Sequence, residues 1–276
     1  DFTKVLSLVP GTAADPSSIN DSPGSFGLFS ANGQRGRANN YLLDGTDMND
    51  GYRNLPAINQ GGVFGIPSTI LPVDAVQEFP VLSGAQAEYG RNAGAIVNIV
   101  TRSGSNDLRG SLFEYFRDDS LGARNYFNTE PNPKNQFRNN QFGGSLGGPI
   151  VKDRTFFFLA YEGQRENGGL PSVGRVPTAA ELAAASAAVG GVNPVIAGLL
   201  ATNPWPAPNQ APDAAGNNLV ATVPFDNRVD SLIAKIDHHI GEGDLLTVRY
   251  FLGDSDQSFP LALVGGGGLP GYNTTT

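Results

Sequence analysis

The sequence predicts a mixed α+β domain followed by a run of antiparallel β-strands, and three observations carry that reading. Residues 72–104 hold two β-rich runs separated by a glycine and a turn pair. Beyond Gly104 the segments become longer, and their side chains alternate in character from one residue to the next. The 276 residues include 36 Gly and 20 Pro, no Cys, and only 16% charged side chains, which suits turns and strands rather than a helical enzyme.

Asp1–Gly11 reads as a short amphipathic helix, with Phe2, Val5, Leu6 and Val9 on one face and Pro10-Gly11 closing it. Residues 12–32 read as a polar linker with scattered Phe26, Leu28 and Phe29. Tyr41-Leu42-Leu43 is a short buried strand ended by the turn pair Asp44-Gly45, and residues 46–54 form a polar loop. Asp44, Asp47, Asn49 and Asp50 are all oxygen ligands. Counting back from Gly51 as a loop glycine, however, puts Thr46 and Met48 where the first two carboxylates of a calcium loop belong, so that site is rejected. Val76, Glu78 or Phe79, and Val81 mark one short strand broken by Gly84; Tyr89-Gly90 turns the chain. Residues 95–101 are a β-branched strand that stops at Ser103-Gly104.

Five alternating strands follow: Leu112–Arg117, Gln141–Ile150, Thr155–Gln164, Ser231–Ile240 and Leu245–Gly253. In the last two, Leu232, Ala234, Ile236 and Ile240 oppose Ser231, Lys235, Asp237 and His239, and Leu246, Val248, Tyr250 and Leu252 oppose Leu245, Thr247, Arg249 and Phe251. Such strands fit either a soluble sandwich with a wet surface or an outer-membrane barrel with a wet lumen. Aromatics near strand ends (Tyr126-Phe127, Phe137, Phe156 to Phe158, Tyr250-Phe251) favour the barrel, as do tight turns at Val151–Arg154 and Gly241–Asp244 set against long connections at 118–138 and 166–230. Within the longest connection, Thr178 caps an Ala-rich helix, Asn193-Pro194 opens a second one, and residues 203–209 are stiffened by proline.

The spacing Pro-x-Asp-x-Val-x-x-Phe-x-Val, then Glu-Tyr-Gly-Arg, then Gly-Ala-x-Val-Asn-x-Val-Thr (72–81, 88–91, 94–101) resembles the plug-domain signature of TonB-dependent outer-membrane receptors, in particular the Oar-like group. Val9-Pro10-Gly11, Gly33-Gln34-Arg35 and residues 40–45 fit the same pattern, and residues 110–117 and 141–150 fit opening barrel strands. The resemblance implies a mixed α+β plug domain over 1–105, followed over 106–276 by antiparallel strands of a partial outer-membrane β-barrel, about five strands, with an external loop at about 166–230. A family barrel of about 22 strands needs more residues than follow Gly104, so the expectation is a portion of a receptor, with the TonB-contacting box upstream of Asp1.

The resemblance further implies a substrate, a small molecule, glycan or peptide, held at a plug apex by Asp47, Asn49, Asp50, Tyr52, Arg53 and Asn54. It also implies charge pairs between plug and barrel wall, carried over to Glu88, Arg91, Arg102 and Glu114. The expected partners are TonB and outer-membrane lipid, and the expected location is the cell outer membrane. Two other readings stand beside this one: an adhesive or structural outer-membrane protein, and a soluble β-sandwich that binds carbohydrate.

Catalysis finds little support. His238 and His239 are adjacent on a strand and point to opposite faces, and Gly143–Gly148 lacks the Lys-Ser/Thr and helix of a phosphate loop. No enzyme activity, metal or cofactor is expected. The absence of cysteine rules out a disulfide scaffold and thiolate sites. A net charge of −8 with no basic patch argues against nucleic acid. No apolar run is long enough for a membrane-spanning helix, a test that says nothing of a barrel, and the start at Asp1 without a basic and apolar leader reads as mature or trimmed.

Overall fold

The computed structural model describes residues 8–14, 29–49, 54, 71–82, 89, 94–124, 134–202, 205–260 and 273–275. Most of the expected N-terminal helix therefore lies outside the described residues. What is described there is a turn at Pro10-Gly11, with the Thr12 N–H donating to Val9 O (3.1 Å), that leads into β1 (Thr12–Ala14). β1 pairs antiparallel with β2 (Phe29–Ala31), so the segment read as linker contributes a two-stranded ribbon.

A small mixed sheet comes next. β3 (Asn40–Leu43) is buried along its length, and it turns through Asp44 (φ +48°) and Gly45 (φ +79°) into β4 (Thr46–Asp47). Two consecutive positive φ values give the tight hairpin turn whose twist matches its strands, and Asp and Gly tolerate that conformation best. The loop expected over 46–54 therefore starts as a strand. A 3-10 turn at Val73–Ala75 precedes β5 (Val76–Glu78) and β6 (Val81–Leu82). The single strand expected there is split at Phe79-Pro80, where proline has no N–H to give a ladder. β7 (Ile96–Thr101) is the centre of the sheet, parallel to β3 and antiparallel to β5 and β6.

The second sheet is purely antiparallel and far longer. Its strands are β8 (Arg109–Asp118), β9 (Phe137–Val151), β10 (Thr155–Gly174), β11 (Leu219–His239), β12 (Leu245–Pro260) and the short β13 (Asn273–Thr275), each paired with its sequence neighbours. All five expected strands are present and all are extended; β10 and β11 run in register from Thr155–His238 to Gly174–Leu219, which shortens the expected 166–230 connection to residues 175–218. That connection holds α1 (Ala179–Ala188), with a complete capping box between Thr178 and Glu181, and α2 (Pro194–Ala201), capped by Asn193. Tight turns at 152–154 and 241–244 close the other end. The glycines of β9 allow close strand approach: a Cβ on Gly144 would lie 2.5 Å from Ser111 O, and one on Gly143 2.3 Å from Tyr161 O.

The two faces of this sheet are inverted relative to a water-soluble protein. On one face Leu112, Leu159, Tyr161, Ile236, Leu246, Val248, Tyr250 and Leu252 are exposed, Leu112 to 93% and Val248 to 56%. The opposite face is covered by the small sheet and carries Glu162 (1% exposed), Ser231, Lys235 (8%) and Asp237. Among the described residues Phe158, Ala160 and Ile233 join one apolar cluster with Tyr41, Leu43, Val97 and Ile99 of the small sheet, and Phe251 packs against it.

Candidate functional site

The site is the seam between the small sheet and the polar face of the long one. It begins at the Asp44 turn. Left-handed backbone at Asp44 aims its carboxylate across β7, where Oδ1 accepts the Thr101 N–H and Oδ2 the Thr101 hydroxyl (both 2.6 Å). Arg249 of β12 reaches the same carboxylate as an ion pair, and its second nitrogen donates to Leu43 O (3.2 Å). One aspartate thus joins the ends of β3 and β7 to the wall.

Lys235, opposite Arg249 in the β11–β12 register, donates to Ser103 Oγ (3.0 Å) and Thr101 O (3.4 Å). Asp237 lies 4.0 Å from its ammonium and accepts the Thr247 hydroxyl (2.7 Å). Glu162 of β10 accepts the Val73 N–H (2.8 Å) at the start of the 3-10 turn, and also a hydrogen bond from Gln141. Ser111 of β8 donates to Asp74 in that turn. The wall therefore holds the small sheet through four strands, each with a charged or hydroxyl group. Buried charges are tolerated in such a seam because each is paired or hydrogen-bonded. Burial pushes the Tyr41 hydroxyl well above its usual range, so it stays neutral in the core behind.

Of the residues expected at the seam, Glu88 and Arg91 lie outside the described residues. Arg102 is exposed and donates to Val76 O (3.2 Å) within its own sheet. Glu114 is also exposed and sits opposite Phe142, on the apolar face with Leu112 rather than on the seam. Strand parity carries that information, since Leu112, Glu114 and Phe116 must share a face. The pairs actually formed, Asp44 with Arg249 and Lys235 with Thr101, join residues over a hundred positions apart, beyond the reach of local pattern.

Of the residues expected at the apex, Asp50, Tyr52 and Arg53 lie outside the described residues. Asn49 is committed internally: its Oδ1 accepts the Tyr41 N–H (2.9 Å) and its Nδ2 donates to Asn39 O (3.2 Å) and Asn54 Oδ1 (3.0 Å). Asp47 is exposed and accepts the Asn49 N–H (2.8 Å). This cluster lies at the start of β3, the opposite end from Asp44. Among the described residues no three acidic or histidine side chains gather to hold a metal.

Residues 100–276 match the model of an outer membrane beta barrel domain. The chain is 36% identical over 166 residues to the TonB-dependent transporter Oar of Myxococcus xanthus, covering 58% of this chain and 14% of that protein. It is 30% identical over 88 residues to a probable TonB-dependent siderophore receptor, PirA, of Acinetobacter baumannii, covering 31% of this chain and 10% of that protein. In fold it resembles the outer membrane transporter YddB of Escherichia coli, with a TM-score of 0.55 over 94% of this chain and 31% of that one, at 12% identity. The chain thus spans only 14% and 10% of the curated relatives it matches.

Proposed function

This chain belongs to the outer-membrane β-barrel family, and on that footing we propose that it is the gate region of a TonB-dependent transporter. Residues 1–105 form the plug and 106–276 the first wall strands, with residues 175–218 as an external loop. The observation that carries the reading is the inverted sheet: apolar side chains such as Val248 stand exposed while Glu162, Lys235 and Asp237 are buried against the small sheet. Hydrocarbon solvates the first face, and a plug seated in a polar lumen explains the second.

Two features support the orientation. β10 has 20 residues, roughly 66 Å at ~3.3 Å each, which at a tilt of about 45° exceeds the ~30 Å hydrocarbon core. The excess lies on the long-loop side, where Arg165 and Asp230 pair (2.7 Å) just beyond Tyr161. Long loops face the outside and short turns the periplasm. The Asp44 seam is then at the periplasmic end, and Asn49 with Asn54 lies at the opposite end of β3, toward the outside. In this reading Asp47, Asp50, Tyr52, Arg53 and Asn54 meet substrate, while Asn49 holds the segment's shape.

Mechanically, substrate binds at the outer end, TonB pulls from the periplasm, and the plug leaves its seat by breaking the seam's polar contacts. No residue of the seam has to do chemistry. Uptake of a labelled substrate pool by cells expressing the full-length protein should vanish when TonB is deleted. Surface binding that persists with no uptake in either strain would replace the transporter by an adhesive outer-membrane protein.

A further inference from the structure

One carboxylate on the inner face takes no part in the seam. Glu166 lies two inward positions beyond Glu162 on β10, toward the long loops, and is only 8% exposed. Its one hydrogen bond among the described residues comes from Asn227 Nδ2 to Oε2 (3.2 Å), and it has no ion pair there. Asn227 and Asn139 are its direct cross-strand partners, on β11 and β9 respectively. The Asn139 Oδ1 atom is buried and accepts nothing. Arg117, next along the same row on β8, is exposed and lays its guanidinium over the Phe137 ring, 4.8 Å from the centroid.

Two neighbouring oxygen acceptors, one of them ionisable, thus face the same space with too few donors. Cross-strand Cβ atoms stand roughly 4.5–5.5 Å apart, so a single multivalent donor can bridge both oxygens. Buried carboxylates are ordinarily paired and buried amide oxygens ordinarily accept a hydrogen bond; in this row the Arg117 charge acts on Glu166 from β8, but among the described residues no cation hydrogen-bonds either oxygen. Metal coordination fits poorly, since a hard divalent ion wants six or more oxygens and the row presents one carboxylate.

We propose that Glu166 and Asn139 form a wall subsite for an ammonium or guanidinium group of the transported substrate, a basic side chain or amine. The Phe137 ring, which already holds Arg117, stands two residues before Asn139 on the same face of β9, so a guanidinium bound here would lie beside an aromatic side chain. The subsite rests on the transporter reading for its biological role but not for its binding chemistry.

The test uses the full-length protein in detergent and the probe Nα-acetylarginine amide, with the uncharged Nα-acetylcitrulline amide as control, followed by calorimetry. Nα-acetylarginine amide should bind and Nα-acetylcitrulline amide should not. Glu166→Gln, which keeps the shape, should weaken binding about tenfold or more, as expected for loss of one charge-assisted hydrogen bond. Asn139→Leu should weaken it less. Equal affinity for the two probes, no binding of either, unchanged affinity in Glu166→Gln, or displacement of the probe by millimolar calcium would each overturn the subsite. A TonB-deletion strain whose uptake is unaffected while the purified protein still binds Nα-acetylarginine amide would instead overturn the transporter reading alone.

Discussion

Replacing Arg249 by Ala should loosen the Asp44 end of the small sheet without unfolding the long one. Arg249 and Asp44 are 19% and 18% exposed, between the surface and interior regimes. Breaking a fully buried pair costs about 3–5 kcal/mol and an exposed one about 0–1. Asp44 keeps both hydrogen bonds from Thr101, so its carboxylate is not orphaned, and a value of about 2 kcal/mol follows. That corresponds to a roughly 30-fold larger open population. Hydrogen–deuterium exchange of the full-length protein reads it directly. Peptides covering Ile96–Ser103 should exchange about 30-fold faster in Arg249→Ala, while β10 peptides stay as they were. Arg249→Lys should recover only part, because an ammonium cannot span Asp44 and Leu43 O as the guanidinium does. Unchanged exchange at Thr101 in Arg249→Ala would refute the seam as a latch.

Two other outcomes follow from the wall and the loop. Val248→Arg on the exposed apolar face should lower the stability of the protein folded into lipid vesicles by about 2–4 kcal/mol, whereas Ser255→Arg on the inner face should change it by less than about 1 kcal/mol; equal costs in urea titrations would contradict the assigned faces. Glu181 is held down to about 2 by the Thr178 N–H, the Arg175 guanidinium and the Thr178 hydroxyl. Its folded value lies below its unfolded one, so its contribution to α1 is complete above about pH 4.5 and is lost as pH falls toward about 2. Amide protection of α1 should decline across that window and become flat in Glu181→Gln; a flat wild-type profile would exclude the capping box as the cause.

Where local rules act alone, the sequence was readable. β7 shows as a β-branched run, and both helices of the connection announce themselves by their caps, Thr178 with Glu181 and Asn193 before Pro194. Strand length was not readable, because residues 164–169 carry no apolar side chain on either face. Gln164 and Glu166 point inward, Arg165 and Asn167 outward, and period-two alternation disappears when neither face is apolar. Gly168-Gly169, Pro171 and Pro224 then look like breakers, although the paired strand runs through them. The seam was hidden for a different reason. Asp44 reads locally as a turn residue, and only the stacking of two sheets brings Arg249 to it.

The edge at β8 has a consequence for assembly. Among the described residues its ten, Arg109–Asp118, pair with β9 on one side only, and the six-stranded order ends there. An open row of peptide groups is tolerated in water but costs several kcal/mol per group in hydrocarbon. In the proposed transporter β8 must meet a further strand before this row of peptide groups can lie in hydrocarbon. Whatever strand finally docks on it must match a short stretch bearing Leu112 and Glu114 on its outer side. An unpaired strand edge of this kind is a template for any strand that meets it, so in that proposal β8 is where a wrong partner would do the most harm.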